Sequence, residues 1–401
     1  MQRVDRRSVL VGCLAASALG VAAGTATPSE IDIAEILRRR VDIEKRTVGM
    51  AAVVVTRHGH RIVCYGRERL GNDRKVSGET LFEIGSITKI YTALLLADLA
   101  RAGVLAIDDP VARHLPADFI VPERDGRPIT LADLATHTSG LPTFPPVTRP
   151  FTEYRSPTEF YTALFGAIKS YGVADLKGWL REFKLPRTPG SGWEYSNMGY
   201  AILAQALSHR TDLSYEELLQ RKVFTPLGLT STFQTPPARV ATRVAEGHDP
   251  KLNPAPPVDL GIFAPAGSLR STAEDLGRFL RAVMPGSGSP LEPSAQLLLQ
   301  THRPAPQAGG QQALGWEILP AREGDYISKD GVTEGQCATA VFDPIARTGV
   351  MVLSNTLPQF GPTDTSPSGG GIGAADVARH ILRPSIALES QGQPPINTVV
   401  S

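Results

Sequence analysis

Apolar, β-branched residues are concentrated near the two ends of the chain. Residues 50–56 and 61–66 are two such runs on either side of a turn that contains Gly59, a pattern that predicts a β-hairpin. Four further runs near the C-terminal end predict strands at residues 315–319, 326–329, 338–342 and 348–354. Strand-forming sequence therefore occurs at both ends of the chain.

Helical periodicity fills the region between these strands and is interrupted by segments rich in proline and glycine. The pattern predicts helices at residues 31–44, 86–102, 110–115, 130–137, 157–165, 173–183, 196–209, 214–223, 272–282 and 374–382. The simplest assembly is an α+β fold, in which one antiparallel sheet is built from both chain ends and flanked by helices. A mainly helical subdomain is inserted into it.

Residues 1–26 have the pattern of an export signal rather than of folded structure. Arg6 and Arg7 precede an apolar run from Val9 to Ala23, and the paired arginines indicate the twin-arginine route. The run is short for a membrane-spanning helix, so no integral membrane segment is expected once the signal is removed. The expected location is the periplasm or the medium.

The remaining sequence predicts one domain followed by a tail. The domain is expected to cover residues 30–388, with an α/β part at about 30–95 and 310–385, a helical part at about 96–309, and a flexible tail at 389–401. A chain of 401 residues with 42% apolar content is long enough for a substantial core. We expect a monomer.

Composition and isolated motifs exclude several classes of function. The net charge of +1 gives no indication of a nucleic-acid partner. His58 and His60 flank a turn without a third ligand nearby, so no metal site is predicted. The glycine-rich run 369–373 follows no strand directly and lacks the later acidic residue of a nucleotide loop, so no cofactor is expected. Cys64 and Cys337 are predicted to be buried free thiols.

A candidate nucleophile lies at the start of the helix predicted at 86–102. Ser86 and Lys89 are three residues apart, and residues at this spacing share a helix face. A hydroxyl becomes a competent nucleophile when a neighbouring base takes its proton, and a desolvated lysine can be that base. Because Ser-x-x-Lys also arises by chance, the pair requires support from the rest of the chain.

Two further motifs follow in a characteristic order. The three motifs are Ser86-Ile87-Thr88-Lys89, Tyr195-Ser196-Asn197 and Lys329-Asp330-Gly331, and a turn with the sequence His137-Thr138-Ser139-Gly140-Leu141-Pro142 lies between the first two. In this order and spacing the chain resembles the serine β-lactamase and DD-peptidase superfamily, specifically its class C β-lactamase branch, from about residue 47 to about residue 382.

The resemblance implies a role for each motif residue. Ser86 would attack a carbonyl carbon to form an acyl-enzyme, and Lys89 or Tyr195 would take its proton; the sequence leaves this choice open. Lys329 would favour the Tyr195 phenolate and attract a substrate carboxylate, and Asn197 would hydrogen-bond both substrate and Lys89.

The remaining implied roles belong to the backbone and to the turn. The oxyanion would lie between the backbone N–H groups of Ser86 and Val332. Gly331 would let substrate approach the strand edge. His137 is expected to belong to a structural turn near the site rather than to act in the chemistry.

Two departures from the class C pattern concern the substrate. Phe144 stands close after the Gly-Leu-Pro turn, where these enzymes usually carry a glutamine that contacts the substrate amide. Asp330 replaces the hydroxyl residue common between the lysine and glycine of the third motif, and its charge would repel a substrate carboxylate if the side chain pointed inward. Both weaken the case for dedicated penicillin hydrolysis.

The sequence thus predicts an exported serine hydrolase acting on β-lactams, on D-Ala-containing peptidoglycan peptides, or on both. A small-ester esterase of the same family and a non-catalytic penicillin-binding or sensor protein are the alternatives. An α/β-hydrolase is disfavoured, because the chain contains no Gly-x-Ser-x-Gly motif.

Overall fold

The two ends of the chain meet in one antiparallel sheet. A computed structural model describes residues 31–149, 151–154, 157–305, 309–358, 373–386 and 388. Within them the strands are β1 (Gly49–Thr56), β2 (Gly59–Gly66), β3 (Phe82–Glu83), β4 (Glu123–Arg124), β5 (Arg127–Pro128), β6 (Gly247–His248), β7 (Pro254–Ala255), β8 (Arg270–Ser271), β9 (His302–Pro304), β10 (Gln311–Ala313), β11 (Glu317–Leu319), β12 (Tyr326–Val332), β13 (Cys337–Asp343) and β14 (Thr348–Ser354). The large sheet has the order β2-β1-β14-β13-β12-β11-β10-β9.

Helices cover both faces of this sheet. They are α1 (Ile33–Arg38), α2 (Thr88–Arg101), α3 (Leu131–Ala135), α4 (Pro157–Ser170), α5 (Val173–Glu182), α6 (Asn197–Thr211), α7 (Tyr215–Leu219), α8 (Thr225–Leu227), α9 (Ala264–Gly267), α10 (Ala273–Val283), α11 (Glu292–Gln300) and α12 (Ala374–Leu382). Helix α2 is buried at most of its positions, which explains why its sequence is apolar on every face.

The sheet has an apolar core on each side. Val53 of β1 lies opposite Ile62 of β2 and Met351 of β14, so the N-terminal hairpin pairs directly with the last strand. Val53 and Met351 belong to a large core shared with the helical part. On the opposite face, a smaller core joins Val350 to residues of α1 and α12, such as Leu37.

Strand β12 presents alternate residues to these two cores, because side chains in a strand have a period of two. Ile327 packs in the large core and Tyr326 in the small one. In this alternation Lys329 and Gly331 face the helical part, whereas Asp330 faces α12. The strand therefore places its lysine on the side from which α2 and α6 approach.

The predicted α+β architecture, with a sheet made from both chain ends, is confirmed. Strand β14 has the predicted bounds, whereas α11 and the short strands β9 and β10 were not predicted. Helix α10 packs against β1, β2 and β14, and β9 lies in the sheet, so elements of the sheet side already occur before residue 310. None of the helices in the described residues is long and apolar enough to cross a membrane.

Cys64 and Cys337 are both free, as predicted, although only Cys337 is fully buried. They lie on β2 and β13, which are separated in the sheet by β1 and β14. At about 4.8 Å per strand this separation is too large for a disulfide. The predicted signal at 1–26, residues 369–372 of the glycine-rich run and the predicted tail lie outside the described residues.

Candidate active site

Ser86 lies where the chain passes from β3 into α2. A short 3₁₀ turn, Gly85–Ile87, joins them. Gly85 has φ +49°, and a Cβ at this position would lie 2.5 Å from the backbone nitrogen of Val332. A Cβ on Gly331 would lie 2.0 Å from the carbonyl oxygen of Ile84 and 2.9 Å from the backbone nitrogen of Ser86. The two glycines thus allow β12 to approach the Ser86 turn, so that both predicted oxyanion donors border one junction.

Lys89 lies one helical turn after Ser86, on the same face of α2. Its Nζ is 3.0 Å from Ser86 Oγ and donates hydrogen bonds of 2.7 Å to Asn197 Oδ1 and to the carbonyl oxygen of Ala266. The side chain is fully buried. Burial, together with the nearby charge of Lys329, lowers the pKa of Lys89 well below its ordinary value. A neutral amine is therefore accessible beside the Ser86 hydroxyl.

Tyr195 contacts the same hydroxyl, with its phenol oxygen 2.5 Å from Ser86 Oγ. Burial raises the pKa of Tyr195, and the Lys329 charge and the Ser86 hydrogen bond only partly oppose this effect. The phenol is consequently protonated in the resting site. The Tyr195–Asn197 loop is fixed by Thr143, whose hydroxyl donates to the Tyr195 carbonyl at 2.8 Å and whose carbonyl accepts the Asn197 N–H at 3.1 Å.

Asn197 is the first residue of α6, but it does not cap the helix. Ser196 is the N-cap, and its hydroxyl accepts the Gly199 N–H at 2.9 Å. This arrangement leaves the Asn197 amide to accept the hydrogen bond from Lys89.

Lys329 reaches the site from β12 and is 1% exposed. Its Nζ donates to Glu317 Oε1 at 3.1 Å and lies 5.4 Å from the centre of the Tyr195 ring. Burial acts to lower the pKa of Lys329, but interactions led by the charge of Glu317 outweigh it, and the net pKa is raised. Lys329 is therefore a permanent cation beside the tyrosine.

His137 supports the Tyr195 loop and does not contact Ser86. Its Nδ1 accepts the Ser196 N–H at 3.1 Å, and its ring centre is 4.5 Å from that of Tyr195. Burial, followed by the charge of Lys329, lowers the pKa of His137 well below its ordinary value. The histidine is thus a neutral, structural member of the site.

Comparison with known proteins identifies the family to which this geometry belongs. A family model described as beta-lactamase matches residues 33–366. The chain belongs to the beta-lactamase family. The predicted resemblance to class C β-lactamases and DD-peptidases, and with it the predicted class of serine hydrolase, is confirmed.

Individual proteins to which the chain is similar agree with this family assignment. It is 27% identical over 326 residues to the D-alanyl-D-alanine-carboxypeptidase/endopeptidase AmpH of Escherichia coli K12, covering 77% of this chain and 80% of that protein. It is 25% identical over 366 residues to a beta-lactamase of Yersinia enterocolitica, covering 82% of this chain and 88% of that one.

Solved structures show the same fold. A beta-lactamase/D-alanine carboxypeptidase from Yersinia pestis, complexed with citrate, matches with a TM-score of 0.70 and 23% identity over 88% of this chain and 98% of that one. A class C beta lactamase from Rhodobacter sphaeroides matches with a TM-score of 0.66 and 24% identity over 83% and 95% of the two chains.

The carboxylate of Asp330 does not point into the site of this family member. It accepts hydrogen bonds from the Thr339 hydroxyl at 2.8 Å and from Arg379 of α12 at 2.7 Å, on the far face of the sheet. The repulsion of a substrate carboxylate that an inward-pointing Asp330 would cause therefore does not arise. Of the two departures from the class C pattern, only Phe144 still weakens the case for dedicated penicillin hydrolysis.

Two partners of Lys89 and Lys329 were not predicted from the sequence. Glu317 is the first residue of β11, and its cross-strand neighbour is Ser328, next to Lys329. The sequence signal that could have revealed Glu317 is its position as an acidic residue in the otherwise apolar strand predicted at 315–319. The Ala266 carbonyl carries no side-chain signal, because any residue supplies such an oxygen. Among the described residues, no group of three or more His, Cys, Asp or Glu side chains could hold a metal ion.

Proposed function

We propose that this protein is an exported serine hydrolase in which Ser86 forms an acyl-enzyme with β-lactams or with D-Ala-containing peptides. The observation that carries this proposal is the position of Ser86 Oγ, which lies 2.5 Å from the Tyr195 hydroxyl and 3.0 Å from Lys89 Nζ. A serine with a proton acceptor on one side and a proton donor on the other is equipped for acyl transfer.

Acylation begins with Lys89 as the base. Neutral Lys89 has two N–H donors, which match Asn197 Oδ1 and the Ala266 carbonyl, so its lone pair is left for the Ser86 proton. The opposite pKa shifts of Lys89 and Tyr195 favour the amine over the phenol as the first acceptor. Ser86 Oγ then bonds to the substrate carbonyl carbon, and the Ser86 and Val332 N–H groups stabilise the oxyanion.

Tyr195 completes the cycle as the proton donor. When the tetrahedral intermediate collapses, the bond to the leaving group breaks, and the protonated phenol can supply the proton that this group needs. The protonated Lys89 then gives its proton to the tyrosine, because Ser86 Oγ is now the ester oxygen of the acyl-enzyme, and the neutral amine is again a base for the attack of water. Lys329 stabilises the transient negative charge on the tyrosine during this exchange.

The relatives support a substrate with an activated amide or ester carbonyl. One is named for D-alanyl-D-alanine carboxypeptidase and endopeptidase activity, and another as a beta-lactamase. These reactions share acylation and differ in how fast water removes the acyl group, where about 1.4 kcal/mol in the barrier corresponds to a tenfold change in rate. One observation favours the esterase alternative: Phe144 stands where class C β-lactamases usually carry a glutamine that contacts the substrate amide.

Export is part of the same proposal. The paired Arg6 and Arg7 and the apolar run that follows them support a leader at residues 1–26, ahead of a domain at 30–388 and a tail at 389–401. If the leader uses the twin-arginine route, replacing Arg6 and Arg7 by lysines should retain the precursor in the cytoplasmic fraction. Unchanged appearance of the processed protein outside the cytoplasm would contradict this assignment.

The test of the chemistry is an acyl adduct on Ser86. The purified protein is exposed to nitrocefin, to a D-Ala-D-Ala peptide and to p-nitrophenyl acetate, and intact mass and turnover are measured. Ser86→Ala should abolish the adduct and lower turnover by about 10⁴-fold or more, whereas Ser170→Ala, at an exposed serine on α4, should change neither. An adduct or turnover that persists in Ser86→Ala, or neither an adduct nor turnover with any of the three substrates, would overturn the proposal.

A further inference from the structure

The two proposed oxyanion donors come from segments that lie far apart in the chain. Ser86 follows β3 through a short turn, and Val332 ends β12. The next residue, Thr333, donates its N–H to the Gln336 carbonyl at 2.9 Å, across the turn that leads into β13. Because successive N–H groups of a strand point to opposite edges, the Val332 N–H points away from β13, toward the Ser86 turn. A fixed spacing between the two donors therefore requires that the β12–β13 turn be held against β3.

The side chain of Gln336 connects these two segments. Its Oε1 accepts the N–H of Glu83 in β3 at 3.1 Å, and Glu83 lies three residues before Ser86. In the part of the chain that the structure describes, no other hydrogen bond joins residues 82–87 to residues 329–336. The Gln336 amide is therefore the direct polar link between the two donor segments.

The other end of the same amide is also anchored. Gln336 Nε2 donates to the Ala245 carbonyl at 2.9 Å, and the Ala245 N–H donates to the carbonyl of Leu81, just before β3, at 2.9 Å. The Gln336 side chain is buried, and the residue is only 2% exposed. A glutamine amide offers both an acceptor and a donor. Because one partner is a donor and the other an acceptor, only one orientation of the amide satisfies both.

We infer that Gln336 is a positioning residue that sets the spacing between the Ser86 and Val332 N–H groups. This inference rests on the proposed function, because these N–H groups stabilise the oxyanion of acyl transfer to Ser86. Without the amide, the Glu83 N–H and the Ala245 carbonyl would be buried without partners, and the β12–β13 turn would lose its link to β3. Oxyanion donors stabilise the transition state only when they are held at hydrogen-bond distance from the developing charge.

The experiment compares p-nitrophenyl acetate with p-nitrophenyl thionoacetate, in which sulfur replaces the carbonyl oxygen. Sulfur is a larger atom and a weaker hydrogen-bond acceptor, so two N–H groups at a fixed spacing favour the oxygen ester. In Gln336→Met, kcat/KM for the oxygen ester should fall about tenfold or more, and the oxygen-to-sulfur ratio of kcat/KM should fall by a similar factor. Gln336→Glu, which keeps an oxygen that accepts the Glu83 N–H, should keep most of the ratio.

A matched control makes the same substitution at another buried glutamine. Gln312 is fully buried, and its Nε2 donates to the carbonyls of Ala313 and Trp316 at 2.9 and 2.8 Å. Gln312→Met should lower the melting temperature and leave the oxygen-to-sulfur ratio at its original value. This control separates a loss of stability from a loss of donor spacing.

A second variant keeps the test open if Gln336→Met does not fold. Gln336→Asn retains a polar amide, which is one methylene too short to reach the Glu83 N–H, and it should lower the ratio in the same way. An unchanged ratio in either variant, shown to be folded by thermal melting, overturns the inference, and so does an equal fall in Gln312→Met. These results are distinct from failure of the proposed function, in which neither ester acylates Ser86 in the original protein.

Discussion

At the scale of single residues, burial controls which groups around Ser86 carry charge. It lowers the pKa of Lys89 and of His137 and raises that of Tyr195, and in each case it favours the neutral form. Lys329 stays charged because Glu317 accompanies it. A lysine beside a serine can act as a base only in such surroundings, and an exposed Ser-x-x-Lys pair lacks them.

Glu334 shows the same effect of burial outside the group of residues around Ser86 and provides a pH prediction. It lies two residues after Val332, and burial, followed by the charge of Glu83, raises its pKa to about 7. The folded protein therefore binds the Glu334 proton more tightly than the unfolded chain does. The resulting stability is fully present below the unfolded pKa of 4.5 and is lost as the pH rises through about 7.

Replacing Glu334 by Gln should remove this loss. Glu334→Gln should melt at nearly the same temperature as the original protein at pH 4.5 and at a higher temperature at pH 8, because glutamine is neutral at both. Melting curves across this pH range provide the measurement. Glu323→Gln, on an exposed turn between β11 and β12, serves as the control and should not produce this pH-dependent difference.

The residues of the candidate site differ in how well they could be predicted from the sequence. The Ser86–Lys89 pair follows from helix spacing, because residues i and i+3 share a face. Tyr195 and Lys329 lie far along the chain, and only the order of motifs in a known family connected them to Ser86. Glu317 was missed, because its role depends on the pairing of β11 with β12, which local pattern does not specify.

At the scale of elements, β12 carries residues that face opposite sides of the sheet and have different partners. Lys329 and Gly331 serve the site, while Asp330 between them is held from behind by Thr339 and Arg379. The Asp330 side chain is 3% exposed and that of Arg379 is 21% exposed. This ion pair fixes the face of β12 opposite to the face that carries Lys329.

Breaking this ion pair should be costly. Arg379→Met leaves the buried Asp330 carboxylate without its charged partner and should lower the free energy of unfolding by about 3 kcal/mol. The double variant Asp330→Asn/Arg379→Met should recover a substantial part of that loss, because it no longer buries an unpaired charge. Denaturant titration at pH 7 provides both values.

A surface ion pair supplies the comparison. Arg221 and Glu217 on neighbouring turns are more than half exposed and 3.7 Å apart, so Arg221→Met should change stability by less than about 0.5 kcal/mol. A loss in Arg379→Met no larger than that in Arg221→Met would show that the Asp330 ion pair does not support the strand.

Element boundaries were predictable where the pattern was long. The alternating and apolar runs of β1, β2 and β14 were recognised because each extends over seven or eight residues. Strands β9 and β10 have three residues each, too few to establish a period of two. Their place in the sheet depends on pairing with β11.

At the scale of the whole molecule, the sheet and the helical part share one core. The large apolar core includes Val53 and Leu353 of the sheet together with Leu203 and Leu218 of the helical part. Strands β1 and β2 precede the helical part in the chain and strands β9 to β14 follow it, so the helical part depends on a sheet to which segments on both sides of it contribute. This connectivity predicts that the two parts unfold together.

Leu37 tests this coupling from the side of the sheet opposite to the active site. It is fully buried in the smaller core, which also contains Val350 and Ile381. Leu37→Ala should lower the free energy of unfolding by about 3 kcal/mol, and far-UV circular dichroism and loss of hydrolase activity should shift to the same lower denaturant midpoint. Ile345→Ala, at a residue that is 86% exposed, should shift neither. If activity and helical signal instead keep their original midpoints in Leu37→Ala, the helical part is stable without the small core, and the sheet is not the element on which the site depends.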